Sequence, residues 1–241
     1  MQRDYTATEV FQESGPDAIV YLHGGAWIDV RNSPRDFAEL AARVREDAPL
    51  ASQYAVTYRL SPEVQHPVHV ADCVEHISQL IVEKGIRKLH LLGHSVGATL
   101  CWQILTALPG DRRYPEGPDF AMKLALVRSS LAHVFLVDGI YSLRALLEEY
   151  PDYDYFVNKA FKSLKDFEDP SESAERISAG PILHVIHSYK DELLTLKQTQ
   201  YLTAVLTAHQ IPYKLYVDDL GLHEDVYRNE KVAAYIVAQL P

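Results

Sequence analysis

The sequence predicts an α/β fold with a mostly parallel, doubly wound sheet and helices on both faces. Short apolar runs rich in β-branched and aromatic residues alternate with longer amphipathic segments along the chain. Several runs are almost continuously apolar, which is typical of strands covered on both faces. Strands that alternate with helices favour parallel βαβ units, because a crossover helix is the usual link between two parallel strands.

The strands are predicted at the short apolar runs. Each run is short enough for a single strand and is rich in residues with high strand propensity. The predicted strands are Ala18–Leu22, Tyr54–Tyr58, Lys88–Leu92, His133–Val137, Ile182–Ile186 and Tyr213–Val217.

The helices are predicted where apolar residues recur every three or four positions between the strands. The first follows Asn-Ser-Pro, and Pro34 suits a first helical position. The predicted helices are Arg35–Arg45, His69–Glu83, Val96–Leu108, Leu193–His209 and Asp225–Leu240.

One segment, Tyr141–Ser178, departs from this alternation. It separates the strands at 133–137 and 182–186 by far more chain than one crossover helix needs, and it is crowded with charged and aromatic residues. A disordered acidic insertion is one interpretation, but the leucines and phenylalanines of the segment provide apolar surface to bury. We therefore expect a cap-like helical insertion over the carboxyl edge of the sheet, within a single domain of residues 1–241.

Composition and charge exclude several functional classes. The chain has 241 residues, of which 47% are hydrophobic and 23% charged, and its formal net charge is −10. That acidic balance argues against a nucleic-acid partner, which needs a basic face. No apolar run is long enough to span a membrane and the N-terminus lacks a signal-peptide core, so we expect a cytoplasmic protein without a membrane partner. Cys73 and Cys101 lie in predicted helices and are expected to be buried, reduced thiols.

Gly93-His94-Ser95-Val96-Gly97 follows one predicted strand and opens a predicted helix. A lone G-x-S-x-G is a weak signal, and a glycine-bounded turn without catalysis is the alternative interpretation. In this strand–turn–helix context the motif predicts a nucleophile elbow, in which a strained turn exposes the Ser95 hydroxyl at the end of the strand. Side chains at positions 93 and 97 would collide with the neighbouring strand and helix, which accounts for the glycines.

His23-Gly24-Gly25-Ala26-Trp27 follows the first predicted strand. Paired glycines allow backbone N–H groups to point at one site, so Gly24 and Gly25, together with the N–H of Val96, are predicted to form an oxyanion hole. His23 is expected to shape this loop by hydrogen bonding. Trp27 belongs either to the core or to the wall of an acyl or aryl pocket for the substrate.

A serine hydroxyl is too weakly acidic to attack unaided, so a histidine base and an orienting carboxylate are expected. Asp191 comes shortly after a late predicted strand, and His223 lies in the last loop before the terminal helix. The chain order Ser95, Asp191, His223 is the order used by hydrolases with this elbow. Asp138, after another predicted strand, is the alternative acid. Weaker candidates, expected to cap helices or face water, are Glu192, Asp218 and Asp219.

A metal site is the alternative use of the remaining histidines. His69, Asp72 and His76 fall near one face of a predicted helix, but no His-Glu-x-x-His sequence is present and the cysteines are not spaced as ligands. Satisfied core or surface histidines are the favoured interpretation. No Walker loop and no dinucleotide-binding fingerprint occurs, so we expect neither a metal nor a cofactor.

The two motifs HGGAW and GHSVGA, with the triad order above, resemble the α/β-hydrolase group that contains hormone-sensitive-lipase-type esterases and kynurenine formamidases. Most of those esterases carry HGGG, whereas HGGxW is similar to the formamidase signature. The segment DGIYSLRALLEEYPDYDYFVNKAF, Asp138–Phe161, is similar to the corresponding region of the fungal-type branch. Little chain precedes Ala18, so the leading antiparallel strands of larger relatives are expected to be shortened or absent.

The resemblance implies the α/β-hydrolase fold and the hydrolysis of N-formyl-L-kynurenine to L-kynurenine and formate, a step of tryptophan breakdown towards NAD. It implies a small-molecule substrate and a formyl-serine intermediate. It carries over Ser95 as nucleophile, Asp191 as acid and His223 as base, with oxyanion donors in Gly24, Gly25 and Val96.

Two other functions stay open at this point. A small-molecule carboxylesterase would use the same triad, and relative rates on formyl anilides and short acyl esters would distinguish it. A binding module on an inactive hydrolase scaffold is disfavoured because the whole triad is present. The sequence does not decide between a monomer and a homodimer.

Overall fold

The computed structural model describes residues 5, 7–111, 113–115, 118–177 and 180–240. Its strands are β1 Thr8–Gln12, β2 Asp17–Leu22, β3 Ser52–Val56, β4 Lys88–His94, β5 Leu131–Val137, β6 Ile182–Ser188 and β7 Tyr213–Asp218. They form one sheet of strand order β1-β3-β2-β4-β5-β6-β7, in which β1 is antiparallel to β3 and the other neighbours are parallel.

Helices flank this sheet. The α-helices in the described ranges are α1 Ala38–Asp47, α2 Val68–Lys84, α3 Val96–Thr106, α4 Pro118–Ser130, α5 Leu143–Glu149, α6 Asp154–Ala160, α7 Pro170–Ser173, α8 Leu196–Ala208 and α9 Glu230–Val237. Short 3₁₀ turns lie at Pro34–Phe37, Pro151–Tyr153, Leu164–Asp166, Ala174–Arg176 and Val226–Arg228. The predicted α/β class with a mostly parallel sheet is confirmed. None of the helices in these ranges has both the length and the apolar character needed to cross a membrane.

The sheet is buried on both faces. One face packs against α2, α3, α4 and α8, through side chains such as Trp102 and Leu124. The other packs against α1 and α9, through side chains such as Leu40 and Ile236. Residues Ala18–Leu22 of β2 are fully buried, as expected for a central strand of a parallel sheet.

The second predicted strand, Tyr54–Tyr58, is displaced in the structure, because β3 begins at Ser52 and ends at Val56. The Ser52 hydroxyl donates to the Gly15 carbonyl at 2.8 Å, and the Gln53 amide donates to the Ala41 carbonyl at 3.0 Å. Strand propensity alone places Ser52 and Gln53 outside the strand, because both are polar. In the structure these hydrogen bonds satisfy their buried side chains and allow both residues to belong to β3.

Two described elements, β1 and α4, have no counterpart in the sequence prediction. β1 is a single leading antiparallel strand at the edge of the sheet, and its side chains are partly exposed, so alternation in the sequence is weak. α4 exposes Met122, which blurs its apolar periodicity. The predicted helix Asp225–Leu240 is divided at Asn229, whose side chain accepts a hydrogen bond from the Lys231 N–H at 2.8 Å and caps α9.

The segment after β5 forms the short helices α5, α6 and α7 together with 3₁₀ turns; its predicted end, Ser178, lies outside the described residues. Buried side chains of α5 and α6, among them Leu146 and Phe156, pack with Trp27 and Val96. This segment therefore covers the chain where it leaves β2 and β4.

We expect Trp27→Ala to lower the free energy of unfolding by about 3–5 kcal/mol, because it removes a fully buried indole from this cluster. The Trp27 ring meets the edge of Phe161 at a centroid distance of 5.1 Å and lies 6.1 Å from Phe156. Denaturant unfolding with an unchanged slope would measure the loss.

Trp27→Phe is the matched control. Its cost should be smaller, since Phe keeps most of the apolar volume and removes an indole N–H that has no hydrogen-bond partner among the described residues. A Trp27→Ala loss below about 1 kcal/mol would show that the cluster does not depend on the indole.

Candidate active site

Ser95 lies between the end of β4 and the start of α3, in a left-handed conformation with φ 56° and ψ −124°. Its backbone N–H donates to the Val137 carbonyl on β5 at 2.9 Å. An L-residue in this region of conformational space is strained and persists only where its surroundings hold it. The predicted elbow is thus present as a local backbone geometry.

The two glycines of the motif permit a very close approach of α3 to the sheet. A Cβ atom on Gly97 would lie 2.1 Å from the Leu22 carbonyl oxygen, and one on Gly93 would lie 2.1 Å from the Gly97 carbonyl oxygen. Both distances are far inside van der Waals contact. Any side chain at either position would therefore displace the elbow.

The loop after β2 is also strained and is held by hydrogen bonds. Gly25, Ala26 and Trp27 have φ values of 96°, 49° and 60°. The Tyr58 hydroxyl donates to the carbonyls of His23 and Gly24 at 3.0 and 3.1 Å. Nδ1 of His23 lies 2.9 Å from the Gly24 carbonyl, so His23 has the loop-shaping hydrogen bond that the sequence predicts.

This loop lies against Ser95. A Cβ atom on Gly24 would lie 3.1 Å from the Ser95 Cβ, whereas Gly25 and Ala26 line the same cavity as Ser95. Within the described ranges, no hydrogen bond occupies the N–H groups of Gly25 or Val96. The three predicted oxyanion residues, Gly24, Gly25 and Val96, are therefore close to the serine.

His223 is paired with Asp191. Nδ1 of His223 lies 2.6 Å from Oδ2 of Asp191, whose side chain is fully buried. Oδ1 of Asp191 accepts the N–H groups of Leu193 and Leu194, each at 2.8 Å. These hydrogen bonds fix the carboxylate, which in turn orients the imidazole ring.

The alternative acid, Asp138, is paired with a different histidine. Its Oδ1 lies 2.9 Å from Nδ1 of His187 and accepts the Ser188 N–H, also at 2.9 Å. Asp138 is fully buried, and burial raises the pKa of its carboxyl against the opposing effect of His187. The geometry favours Asp191 over Asp138 as the partner of His223.

Two further residues hold the backbone of His223, and the sequence analysis gave neither of them this role. Oε2 of Glu192 accepts the His223 N–H at 2.8 Å. Nε2 of the buried His94 lies 2.9 Å from the His223 carbonyl and donates to it, and the two rings are 4.6 Å apart. These contacts join residues far apart in the chain, so no local pattern in the sequence indicates them.

The other acidic candidates have separate partners. Asp218 pairs with Lys231 at 3.0 Å, and Oδ1 of Asp219 accepts the Gly221 N–H at 3.4 Å. Both contribute to the loop after β7 rather than to the ring of His223.

The residues of the metal alternative are likewise bonded to protein groups. Nε2 of His69 lies 3.1 Å from the Ser61 hydroxyl, Asp72 pairs with Arg59 at 2.7 Å, and Nδ1 of His76 lies 2.8 Å from the Thr57 carbonyl. These partners give the side chains structural roles.

Donor atoms that could surround a metal ion occur beside the pair of His223 and Asp191. One atom from each of His94, Asp138 and His223 lies within 4.8 Å of the others, and so do atoms of Asp138, His187 and Asp191. The hydrogen bonds described above already join these groups to one another or to the backbone. We therefore interpret them as a hydrogen-bonded network around His223.

The charges around His223 raise its pKa. Burial disfavours the protonated ring, but the hydrogen bond and charge of Asp191, with the charges of Asp138 and Glu192, more than offset burial and raise the pKa of His223 above 6.5. For His94, burial dominates and lowers the pKa well below 6.5, so this ring stays neutral.

Ser95 and His223 line one cavity of about 430 Å³. Residues of the loop after β2 and of the segment after β5 complete its walls. Besides Ser95 and His223, the lining comprises Gly25, Ala26, Ile28, Asp29, Val30, Arg31, Asn32, His94, Ile140, Tyr153, Tyr155, Phe156, Leu193, Leu194 and Glu224. Trp27 is fully buried behind Phe156, which places it in the core rather than in this wall.

The comparison with known proteins agrees with this architecture. A family model for the alpha/beta hydrolase fold matches residues 19–149. The fold is also similar to that of a solved arylesterase, with a TM-score of 0.65 and 19% sequence identity over 94% of this chain and 75% of that one. The chain therefore belongs to the α/β hydrolases.

More similar relatives cover almost the whole chain. It is 44% identical to the kynurenine formamidase of Saccharomyces cerevisiae, over 96% of this chain and 93% of that protein. It is 39% identical to the kynurenine formamidase of Meyerozyma guilliermondii, over 91% of this chain and 82% of that protein. Within the α/β hydrolases, the chain belongs to the kynurenine formamidase family, which confirms the resemblance seen in the motifs.

We expect Asp191→Asn to lower kcat about 10⁴-fold, because an amide would present the wrong tautomer of His223. Hydrolysis of p-nitrophenyl acetate would measure the loss, with thermal unfolding as the check on folding. Asp138→Asn is the matched variant and should cost far less activity, since Asp138 bonds His187 instead. A reversed order of the two effects would assign the acid to Asp138.

Proposed function

We propose that this protein hydrolyses N-formyl-L-kynurenine to L-kynurenine and formate, with Ser95 as nucleophile, His223 as base and Asp191 as the orienting acid. The observation that carries the proposal is the 2.6 Å contact between His223 and Asp191 beside a strained, cavity-lining Ser95. The choice of N-formyl-L-kynurenine as substrate rests on the similarity to relatives named kynurenine formamidase.

The proposed chemistry is acyl transfer. His223 takes the Ser95 proton as Oγ attacks the formyl carbon, and the oxyanion is stabilised by N–H groups of Gly24, Gly25 and Val96. The imidazolium then gives its proton to the anilide nitrogen, which breaks the C–N bond and releases L-kynurenine. Water attacks the formyl-serine with His223 again as base, and formate leaves.

The cavity suits a small aryl amide. The aliphatic and aromatic side chains of Ile28, Ile140, Phe156, Leu193 and Leu194 provide an apolar wall for an aryl ring. A formyl group needs no room beyond the oxyanion hole, and Ala26, the residue after Gly25, also lines the cavity.

The segment after β5 has a proposed role at the cavity. The segment 141–177 acts as a cap, because Tyr153 and Phe156 both line the cavity. A reduced, cytoplasmic setting agrees with the two buried free cysteines, Cys73 and Cys101. All groups used in the mechanism come from one chain, so it requires no homodimer.

The first test compares substrates. We expect wild-type protein to cleave N-formylkynurenine much faster than N-acetylkynurenine or p-nitrophenyl butyrate, because a longer acyl group must displace the wall beside the oxyanion hole to reach attack geometry. Ser95→Ala should abolish all three activities, with a loss on the order of 10⁴–10⁶. Comparable kcat/KM values for the formyl and acetyl anilides would instead indicate a general carboxylesterase.

The second test is the pH dependence on a neutral substrate such as formanilide. Only unprotonated His223 can accept the Ser95 proton, so the rate should fall as the pH drops through the raised pKa of His223, with a midpoint above 6.5. Glu192→Gln keeps an oxygen that can accept the His223 N–H but removes the negative charge. It should therefore move the midpoint to lower pH, and an unshifted midpoint would contradict the role given to this charge.

A further inference from the structure

The mouth of the catalytic cavity carries charges that the acyl-transfer chemistry does not use. Asp29, Arg31 and Glu224 all line this cavity, and the Arg31 side chain is 87% exposed. Asp29 and Arg31 come shortly after Gly24 and Gly25 in the chain, and Glu224 is the residue after His223. A ligand whose reacting end is at Ser95 would therefore meet them with its other end.

Arg31 is held in place but keeps donors free. Its Nε and Nη2 donate to Asp29 Oδ1 at 3.0 Å and Oδ2 at 2.6 Å, and its backbone N–H donates to Asp29 Oδ1 at 2.9 Å. The guanidinium has five N–H donors, and Asp29 occupies only one edge. No hydrogen bond from the described part of the chain occupies Nη1. A planar, fixed guanidinium with a free edge is suited to a carboxylate.

Glu224 supplies the opposite charge. Glu224 is an exposed residue of the same lining, and its negative charge favours the charged form of Arg31. A ligand with only a negative group would be attracted by Arg31 but repelled by Glu224 and Asp29. A ligand with only a positive group would be attracted by the two carboxylates but repelled by Arg31. A zwitterion can satisfy Arg31 and Glu224 at once.

We propose that Arg31 and Glu224 form a recognition site for the α-amino-acid group of the substrate, with Arg31 bound to the α-carboxylate and Glu224 to the α-ammonium. This inference rests on the proposed formamidase function, which places the formyl group at Ser95. In N-formylkynurenine the amino-acid group lies at the far end of the molecule from the formyl amide, with the aryl ring between them. In this cavity Ser95 is buried, whereas Arg31 and Glu224 are exposed, so the amino-acid end of the substrate would lie towards solvent.

The test uses three formyl anilides. N-formyl-L-kynurenine carries both charges, N-formylkynuramine lacks the carboxylate, and the desamino analogue lacks the ammonium group. Arg31→Gln should lower the ratio of kcat/KM for N-formylkynurenine to that for N-formylkynuramine about tenfold, chiefly through KM, because a charge-assisted hydrogen bond is lost. Glu224→Gln should likewise lower the ratio of kcat/KM for N-formylkynurenine to that for the desamino analogue about tenfold.

Arg35→Gln is the matched control. Arg35 is a similarly exposed arginine close in sequence, but it pairs with Glu9 and does not line the cavity. It should leave both ratios unchanged within error. Equal losses on all three substrates in Arg31→Gln, or no change in its ratio, would overturn the recognition site.

A binding measurement separates this inference from the proposed function. Titration of Ser95→Ala protein with L-kynurenine should give a Kd that rises about tenfold when Arg31→Gln is added. A wild-type protein that cleaves none of the formyl anilides would overturn the formamidase proposal. An unchanged Kd in the double variant would overturn the role of Arg31, whatever the turnover.

Discussion

The left-handed turn at Ser95 is the constraint on which the rest of the site depends. It is fixed from two sides, because the Ser95 N–H is bonded to Val137 on β5 and Gly97 lies against the Leu22 carbonyl at the end of β2. Three adjacent central strands, β2, β4 and β5, thus determine where the hydroxyl points. Since those strands are buried on both faces, the proposed nucleophile is held by a closely packed part of the molecule.

His223, the proposed base, is held against the same turn although it comes from the last loop before α9. His94, the residue before the serine, holds the His223 carbonyl, while Asp191 and Glu192 hold its ring and its N–H. These hydrogen bonds hold the loop that carries His223 in one position. Less conformational freedom therefore remains to be lost during the proposed reaction. The same contacts bring negative charge to the imidazole and keep it a stronger base than burial alone would allow.

The features that the sequence predicts depend on local patterns, whereas the features that it misses depend on contacts between residues far apart in the chain. The glycine spacing at 93 and 97 and the apolar runs are local patterns, so the elbow and the parallel sheet could be predicted from them. The contacts of His94 and Glu192 with His223 join residues far apart in the chain, and no local spacing encodes them. The choice between Asp138 and Asp191 also depends on tertiary contacts, because both residues follow strands. In the structure Asp191 is the acid that contacts the His223 ring, and the N–H groups of Leu193 and Leu194 hold its carboxylate in place.

In the proposed function, substrate selection arises outside the three residues Ser95, Asp191 and His223. An arylesterase shares this fold at 19% identity, so the elbow and the sheet by themselves do not distinguish one acyl derivative from another. The loop from Gly25 to Arg31 serves both parts of the proposed site, because it carries a proposed oxyanion glycine at one end and a guanidinium paired with Asp29 at the other. The Asp29 N–H donates to the Gly25 carbonyl at 2.8 Å, and the Asp29 carboxylate holds Arg31. In the proposed complex this one loop would contact both ends of the substrate, the formyl oxygen through Gly25 and the α-carboxylate through Arg31.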